Sequence, residues 1–169
     1  MELIKDLSFA KYKNKVTGIW CCDIKEKGQN LKNNLTKQME MALTEERKTF
    51  VLPFLGYGNT FAMEIALEFK KTYYTGLIGI LPYQQFVCQH TNDGDFWFDA
   101  YNNMDWCHIV DNEPCKNAEE TYKKCASGMQ KVCKHLIVGY APYPDMLTFE
   151  WLMDLSKSWD HHVKIVSAL

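Results

Sequence analysis

Short apolar runs alternate along this chain with longer segments in which apolar residues recur at every third or fourth position. The short runs predict strands at 50–54, 77–81, 107–110, 136–140 and 163–166, and Val16-Thr17-Gly18 predicts the end of a first strand. The longer segments predict helices at 59–71, 118–133 and 148–159, and another around the stripe Leu31, Leu35, Met39 and Leu43. A polar loop at 84–94 leads into an aromatic-rich segment, DFWFDAYNNMDW.

Strands that are apolar throughout and separated by helices are typical of a parallel sheet that is covered on both faces. We therefore expect an α/β fold, a single Rossmann-like domain with a mainly parallel sheet and helices on both faces. The chain of 169 residues is long enough for one such core, and no repeat or linker divides it. Residues 1–169 are accordingly expected to form one domain.

The segment 50–71, FVLPFLGYGNTFAMEIALEFKK, predicts a strand, a glycine-bearing turn at 56–60 and an amphipathic helix with Phe61, Ile65 and Phe69 on one face. Glycines let a ligand approach the backbone closely, and the N–H groups of a helix's first turn favour a phosphate. A βα turn that merely closes tightly would show the same pattern. The spacing matches neither the dinucleotide GxGxxG motif nor a Walker motif.

Ligands of parallel α/β sheets bind beyond the carboxyl ends of the strands. The ligand-binding residues predicted there are Thr17, Gly18, Trp20, Gly56, Tyr57, Gly58, Asn59, Thr60, Glu64, Pro82 and Tyr83. Asn59 and Thr60 would serve equally well as helix caps, and Glu64 as a solvated side chain. Gly58→Val is expected to abolish binding and to leave the fold largely intact.

Aromatic residues make up 14% of the chain, and most of them are expected in the core. The candidates for stacking on a nucleobase are Trp20, Tyr57, Tyr83, Trp97 and Trp106. The acidic residues of the same region, Asp95, Asp99 and Asp105, fit a solvated loop better than a metal site.

Composition and charge exclude several classes of protein. The net charge of −2 and the scattered lysines argue against a nucleic-acid binder. No apolar stretch approaches the length of a membrane span, and the first 15 residues lack the apolar region of a signal peptide, so a cytoplasmic protein is expected. The seven cysteines are then reduced thiols, mostly small buried residues, and none has the spacing of a zinc site. Neither a metal nor a cofactor is predicted.

The order of the segments resembles the YpsA-type branch of the SLOG superfamily, the Rossmann-like proteins related to DprA and LOG. The matching features, in chain order, are Val16-Thr17-Gly18, the helix FAMEIALEFK at 61–70, the strand end Leu81-Pro82-Tyr83, Tyr101 with Asp105, and Met129 before the strand at 137–140. The resemblance covers about 16–166 and implies a nucleotide-type ligand at the carboxyl edge of the sheet. Because SLOG-like proteins commonly pair, a homodimer or higher homo-oligomer is also expected.

The chain departs from the family at polar positions. Ile19-Trp20 replaces His-Arg, Cys125-Ala126 replaces Arg-Asn, Gly58-Asn59-Thr60 lacks an acidic residue, and 141–145 replaces a Gly-Gly-Thr turn. The catalytic signature of LOG enzymes is also missing, which favours non-catalytic binding of a phosphorylated, nucleotide-derived small molecule. Such a protein would be a sensor, or a sequestering protein if the chain comes from a phage.

Two other functions stay open. One is a hydrolase of the nucleotide N-glycosidic or phosphate bond, with Glu64 or an aspartate of 95–105 as general acid or base. The other is a protein-interaction module that uses the aromatic residues of 96–106 as an anchor.

Overall fold

The computed structural model describes residues 2–3, 15–22, 28–89, 96–140, 146–159 and 163–167. Within these ranges the strands are β1 Glu2–Leu3, β2 Val16–Cys21, β3 Thr49–Pro53, β4 Gly76–Tyr83, β5 Trp106–Asp111, β6 His135–Tyr140 and β7 Val163–Ser167. The helices are α1 Gln29–Thr44, α2 Gly56–Thr72, α3 Phe86–Gln89, α4 Phe96–Asn103, α5 Ala118–Val132 and α6 Met146–Ser158.

All described strands belong to one sheet, in the order β1-β5-β4-β3-β2-β6-β7, and every neighbouring pair is parallel. From β2 the chain adds β3, β4 and β5 on one side and then returns to add β6 and β7 on the other. The predicted α/β class and the parallel sheet of a Rossmann-like domain are confirmed.

Helices cover both faces of the sheet, as predicted. On one face, α1 lies against β6 and β7 and packs on α2, which lies against β2 and β3. Gly139 of β6 marks this contact, because a Cβ there would lie 3.4 Å from Leu31 of α1. On the other face, Gly18 of β2 points at α5, where a Cβ would lie 2.6 Å from Cε of Met129. The strand residues between these layers, including Phe50, Leu52, Ile78 and Ile80, are almost completely buried.

Several boundaries differ from the predicted ones. β2 runs on to Cys21 instead of ending at Gly18, and α2 begins at Gly56, three residues earlier than expected. β4 continues through Pro82 to Tyr83, beyond the point where its pairing with β3 has ended, so the missing N–H of Pro82 breaks no bond to β3. α4 occupies the aromatic-rich segment, for which no element was predicted, and β1 was not predicted either.

Candidate functional site

A cavity of about 630 Å³ opens at the carboxyl ends of β3, β4 and β5, between the first turns of α2 and α5. We call it the edge cavity. Its described lining consists of Leu55, Gly56, Thr60, Tyr83, Phe86, Phe96, Trp97, Cys115, Asn117, Ala118 and Thr121. Its volume and its place at the carboxyl edge are typical of a small-molecule site in a parallel α/β fold.

The start of α2 forms one wall of the edge cavity and is not capped by a side chain. Leu55 occupies the N-cap position, and no acidic residue lies in the first turn. Gly56 has φ 68°, in the left-handed region that favours glycine. Thr60 donates its hydroxyl to the Gly56 carbonyl at 3.0 Å, which leaves the oxygen lone pairs of the hydroxyl able to accept. The partial positive charge at this helix start is therefore not offset by a neighbouring carboxylate.

The start of α5 forms the opposite wall and is fully capped. The side chain of Asn117 accepts from the backbone N–H of Glu120 at 2.9 Å, and the Glu120 carboxylate accepts from the N–H of Lys116 at 2.7 Å. Glu119 and Glu120 both lie in the first turn. Because these carboxylates already use the positive end of the helix dipole, α5 is the poorer place for an anionic ligand.

Aromatic rings form the third wall. The ring of Phe86 lies 5.5 Å from that of Tyr83 and 6.0 Å from that of Trp97, both edge to face. Trp97 also packs on Phe96 at 5.7 Å and on the buried Phe54 at 5.3 Å. Of this group, the sequence singled out Tyr83 and Trp97, while Phe86 and Phe96 carried no signal beyond their position in the loop and aromatic-rich segment after β4.

Tyr83, Cys115 and Lys124 lie close together at the base of α5. Burial raises the pKa of the Tyr83 hydroxyl, Cys115 adds to the rise and Lys124 opposes it. Lys124 is held by Asp111 at 2.9 Å and by the carbonyl of Glu113 at 3.1 Å, and its hydrogen bond lowers the pKa of Asp111. Cys115 is half-buried, so this thiol reaches the edge cavity.

The other described cysteine side chains fit the prediction of small buried residues: Cys21, Cys22, Cys107, Cys125 and Cys133 are buried. Burial raises the pKa of the Cys107 thiol to about 12, and it raises the pKa values of Cys21 and Cys125 as well. These thiols therefore stay protonated and are poor nucleophiles.

Of the residues predicted on β2, Thr17 and Gly18 are not at its carboxyl end, and Trp20 is near that end but buried. Thr17 and Gly18 lie in the first half of the strand, and the buried Thr17 hydroxyl accepts from Nε of Arg47 at 3.0 Å. Trp20 is 2% exposed and packs edge to face on Tyr122, with ring centroids 4.9 Å apart. The predicted position of Thr17 and Gly18 at the end of the strand is wrong, because β2 extends three residues beyond Gly18, to Cys21.

Two residues of the predicted glycine turn attach α2 to the end of β2. A Cβ at Gly58 would lie 1.9 Å from the carbonyl oxygen of Cys22, so helix and strand meet here without room for a side chain. The buried Asn59 accepts from the backbone N–H of Cys21 at 2.8 Å. The expectation that Gly58→Val leaves the fold intact is therefore wrong. Tyr57 belongs to the same helical turn, and its side chain lies outside the described part.

The remaining candidates are dispersed. Glu64 is half-buried in α2 and Pro82 is buried in β4, and neither lines the edge cavity. Asp105 pairs with Lys70 at 2.8 Å and accepts from the N–H of Leu77 at 2.7 Å, near the amino end of β4. Asp99 is exposed on α4, and Trp106 lies at the amino end of β5. Asp95, the segment 141–145 and the pair His161-His162 lie outside the described residues.

No protein-family model matches the chain, and no curated protein sequence matches it. Within the described ranges, no three His, Cys, Asp or Glu side chains are grouped so that they could hold a metal ion. Among the same residues, no helix combines the length and apolar character that a membrane crossing requires.

Proposed function

We propose that this protein binds a phosphorylated, nucleotide-derived small molecule in the edge cavity and does not transform it. The observation that carries the proposal is the uncapped start of α2, which opens into a cavity walled by aromatic rings. The start of α2, at the positive end of its helix dipole, would hold the phosphate, and the rings of Phe86, Phe96 and Trp97 would contact the base. Such a protein acts as a sensor or as a sequestering protein.

The charges around the edge cavity favour a ligand with few phosphates. None of its described lining residues is lysine, arginine, histidine, aspartate or glutamate. A polyphosphate would have to place several negative charges near a single helix start, with Glu119 and Glu120 on the opposite side. A monophosphate needs only the α2 start. Aromatic and backbone contacts would then provide most of the specificity.

The hydrolase alternative is less well supported. A hydrolase of N-glycosidic or phosphate bonds needs a carboxylate or a comparable acid–base group at the reacting bond. In the part of the chain that the structure describes, Glu64, Asp99 and Asp105 all lie away from the lining of the edge cavity. The alternative of a protein-interaction module needs exposed aromatic side chains on α4. Phe98 is 39% exposed there, but Trp97 is buried, which weakens this alternative.

We also propose that the chain is a divergent SLOG-like protein of the cytoplasm. Support comes from the order of segments in the sequence and from a parallel sheet whose strand order reverses beside β2. Self-association stays a prediction, which light scattering at micromolar concentration would test.

Two experiments test the proposed function. The first identifies small molecules that purified protein releases on heating, by mass spectrometry; a phosphorylated nucleotide derivative is expected. The second compares Leu55→Asp with Leu55→Asn in calorimetric titrations of nucleoside 5′-monophosphates. Both side chains can cap α2, but only Asp adds a negative charge.

Leu55→Asp should therefore weaken monophosphate binding about ten-fold more than Leu55→Asn does. The corresponding nucleosides, which lack the phosphate, should bind both variants alike. Equal monophosphate affinities for the two variants would contradict a phosphate site at the start of α2.

A further inference from the structure

Two mostly buried side chains in the wall of the edge cavity carry a polar group that has no hydrogen-bond partner in the described part of the protein. The two groups are the hydroxyl of Tyr83 and the indole N–H of Trp97. The two side chains are only 6% and 5% exposed. Neither polar atom is completely enclosed, since Thr75 has the only fully buried, unpartnered side-chain oxygen or nitrogen among the described residues. Both groups therefore retain access to open space, and both belong to residues that line the edge cavity.

Two buried aromatic residues away from the edge cavity, Tyr122 and Trp159, have satisfied polar groups. The Tyr122 hydroxyl donates to the carbonyl of Trp151, and the Trp159 indole N–H donates to the carbonyl of Lys134 at 2.9 Å. Buried hydroxyl and indole groups normally find such partners. Among the described residues Tyr83 and Trp97 have no such partner, and both line the edge cavity, where a ligand can reach them.

We infer that Tyr83 and Trp97 recognise hydrogen-bond acceptors on a heteroaromatic ring of the ligand; this inference rests on the proposed function. The two rings flank Phe86 at 5.5 and 6.0 Å, so both polar groups belong to one wall. The indole N–H can only donate, and the hydroxyl can donate as well. A ring nitrogen or an exocyclic carbonyl oxygen, the acceptors that nucleobases carry, would satisfy them.

The same two groups select against ligands without acceptors. In the empty cavity, water can satisfy a buried donor. A ligand that displaces this water without offering an acceptor leaves the donor unpaired, and this loss weakens binding. A site built to hydrogen-bond its ligand therefore rejects an analogue of the same shape that lacks the matching atoms. The ligand class is accordingly nucleobase-like rings, and hydrocarbon rings of equal size are disfavoured.

The test compares ribonucleotides with an analogue of matched shape. The probes are the four ribonucleoside 5′-monophosphates and the ribose phosphate that carries indole in place of a base, because indole has no ring acceptor. Affinity is measured by calorimetry, and occupancy of the cavity by the rate at which iodoacetamide alkylates Cys115, read by peptide mass spectrometry. We expect the tightest ribonucleotide to bind wild-type protein about ten-fold better than the indole analogue and to slow alkylation of Cys115.

The variants are Tyr83→Phe and Trp97→Phe, with Tyr74→Phe and Trp106→Phe as matched controls outside the edge cavity. Tyr74 is fully exposed, and Trp106 lies at the amino end of β5. Each test variant should lose about ten-fold in ribonucleotide affinity and keep its affinity for the indole analogue. Both controls should keep the wild-type preference. Because Trp97→Phe also removes packing against Phe54, Tyr83→Phe, which loses only the hydroxyl, decides the question if Trp97→Phe does not fold.

The outcomes separate this inference from the proposed function. In one outcome, ribonucleotides bind and protect Cys115 while Tyr83→Phe keeps the full preference for them over the indole analogue. That result would overturn the role of the two donors and leave the proposed function standing. If no ribonucleotide binds or protects Cys115 at millimolar concentration, the proposed function fails, and this inference fails with it.

Discussion

The polar side chains at the two ends of the parallel sheet differ in their hydrogen bonding, apart from the buried and unpartnered hydroxyl of Thr75 just before β4. At the amino ends, Thr17 is bonded to Arg47, and Asp105 is bonded to Lys70 and to the backbone of β4. At the carboxyl ends, the edge cavity is bordered by donors that have no such partners among the described residues. Polar groups that the fold already satisfies stabilise it, whereas polar groups left unsatisfied at an opening are available to a ligand.

Size alone does not separate the two ends. A depression of about 620 Å³ lies at the amino ends, bordered by Lys15, Val16, Glu46, Lys48, Thr49, Ile78 and Trp106. It is as large as the edge cavity, but its described lining contains charges of both signs and no helix start. The volumes of the two cavities therefore do not distinguish them as ligand sites, whereas the hydrogen bonding of their lining residues does.

The carboxyl edge is itself divided, because α2 closes the end of β2 and leaves the ends of β3, β4 and β5 open. The largest loss of stability is expected at Gly58, where α2 lies closest to the end of β2. Gly58→Ala places a Cβ 1.9 Å from the Cys22 carbonyl oxygen and 2.6 Å from its carbonyl carbon, both backbone atoms. Helix and strand would have to separate, so we expect a loss of about 3 kcal/mol or more in the free energy of unfolding, measured by urea denaturation.

Gly76→Ala at the amino end of β4 is the matched control. Its Cβ would lie 3.1 Å from the side-chain oxygen of Thr49, which can shift slightly. If Gly58→Ala lowers the free energy of unfolding no more than this control does, the start of α2 is not closely packed against β2. The inferred division of the carboxyl edge would then be wrong.

The second prediction concerns the hydrogen bond at the same junction. Asn59→Ala removes the acceptor of the Cys21 N–H, at 2.8 Å and buried, and leaves that donor unsatisfied. The expected loss in unfolding free energy is about 1–3 kcal/mol. Asn103→Ala is the control, because Asn103 is exposed and donates only to the carbonyl of Asp99 at 2.7 Å. If the two substitutions lower the free energy of unfolding equally, the hydrogen bond from Cys21 to Asn59 does not stabilise the contact between α2 and β2.

The fold could be predicted from the sequence because its signals are local. Each strand after β1 gives an apolar run, as in 77–81, and each long helix gives a stripe, as in Leu31, Leu35 and Met39. The missed boundary of β2 has a physical cause. Thr17 and Gly18 look like a turn in sequence, but Gly18 makes room for Met129 and Cys133 of α5, and Thr17 is satisfied by Arg47.

The site could be predicted only in part. The place of the anion-favouring helix start followed from 50–71, and Gly56, Thr60 and Tyr83 do line the edge cavity. Asn59 and Gly58 could not be recognised as ties to β2, because their partners are 38 and 36 residues away in sequence. Cys115 and Phe86 come together only through the pairing of β4 with β5, which no local pattern encodes.

The smallest predicted effect tests the contrast between the two ends most directly, because Thr17 was predicted to bind the ligand. Thr17→Val keeps the shape and β-branching of the side chain and removes the acceptor of Arg47 Nε. We expect the free energy of unfolding to fall by about 1 kcal/mol, since Arg47 also contacts Glu45 and is partly exposed to water. Thr44→Val, at the exposed end of α1, is the control and should change the free energy of unfolding less.

The affinity for ribonucleoside 5′-monophosphates should be the same in both variants as in wild type, because Thr17 pairs with Phe50 and His135 at the amino half of the sheet, away from the edge cavity. A ten-fold loss of affinity in Thr17→Val, with Thr44→Val unchanged, would place the ligand at the amino end and reverse the roles assigned to the two ends.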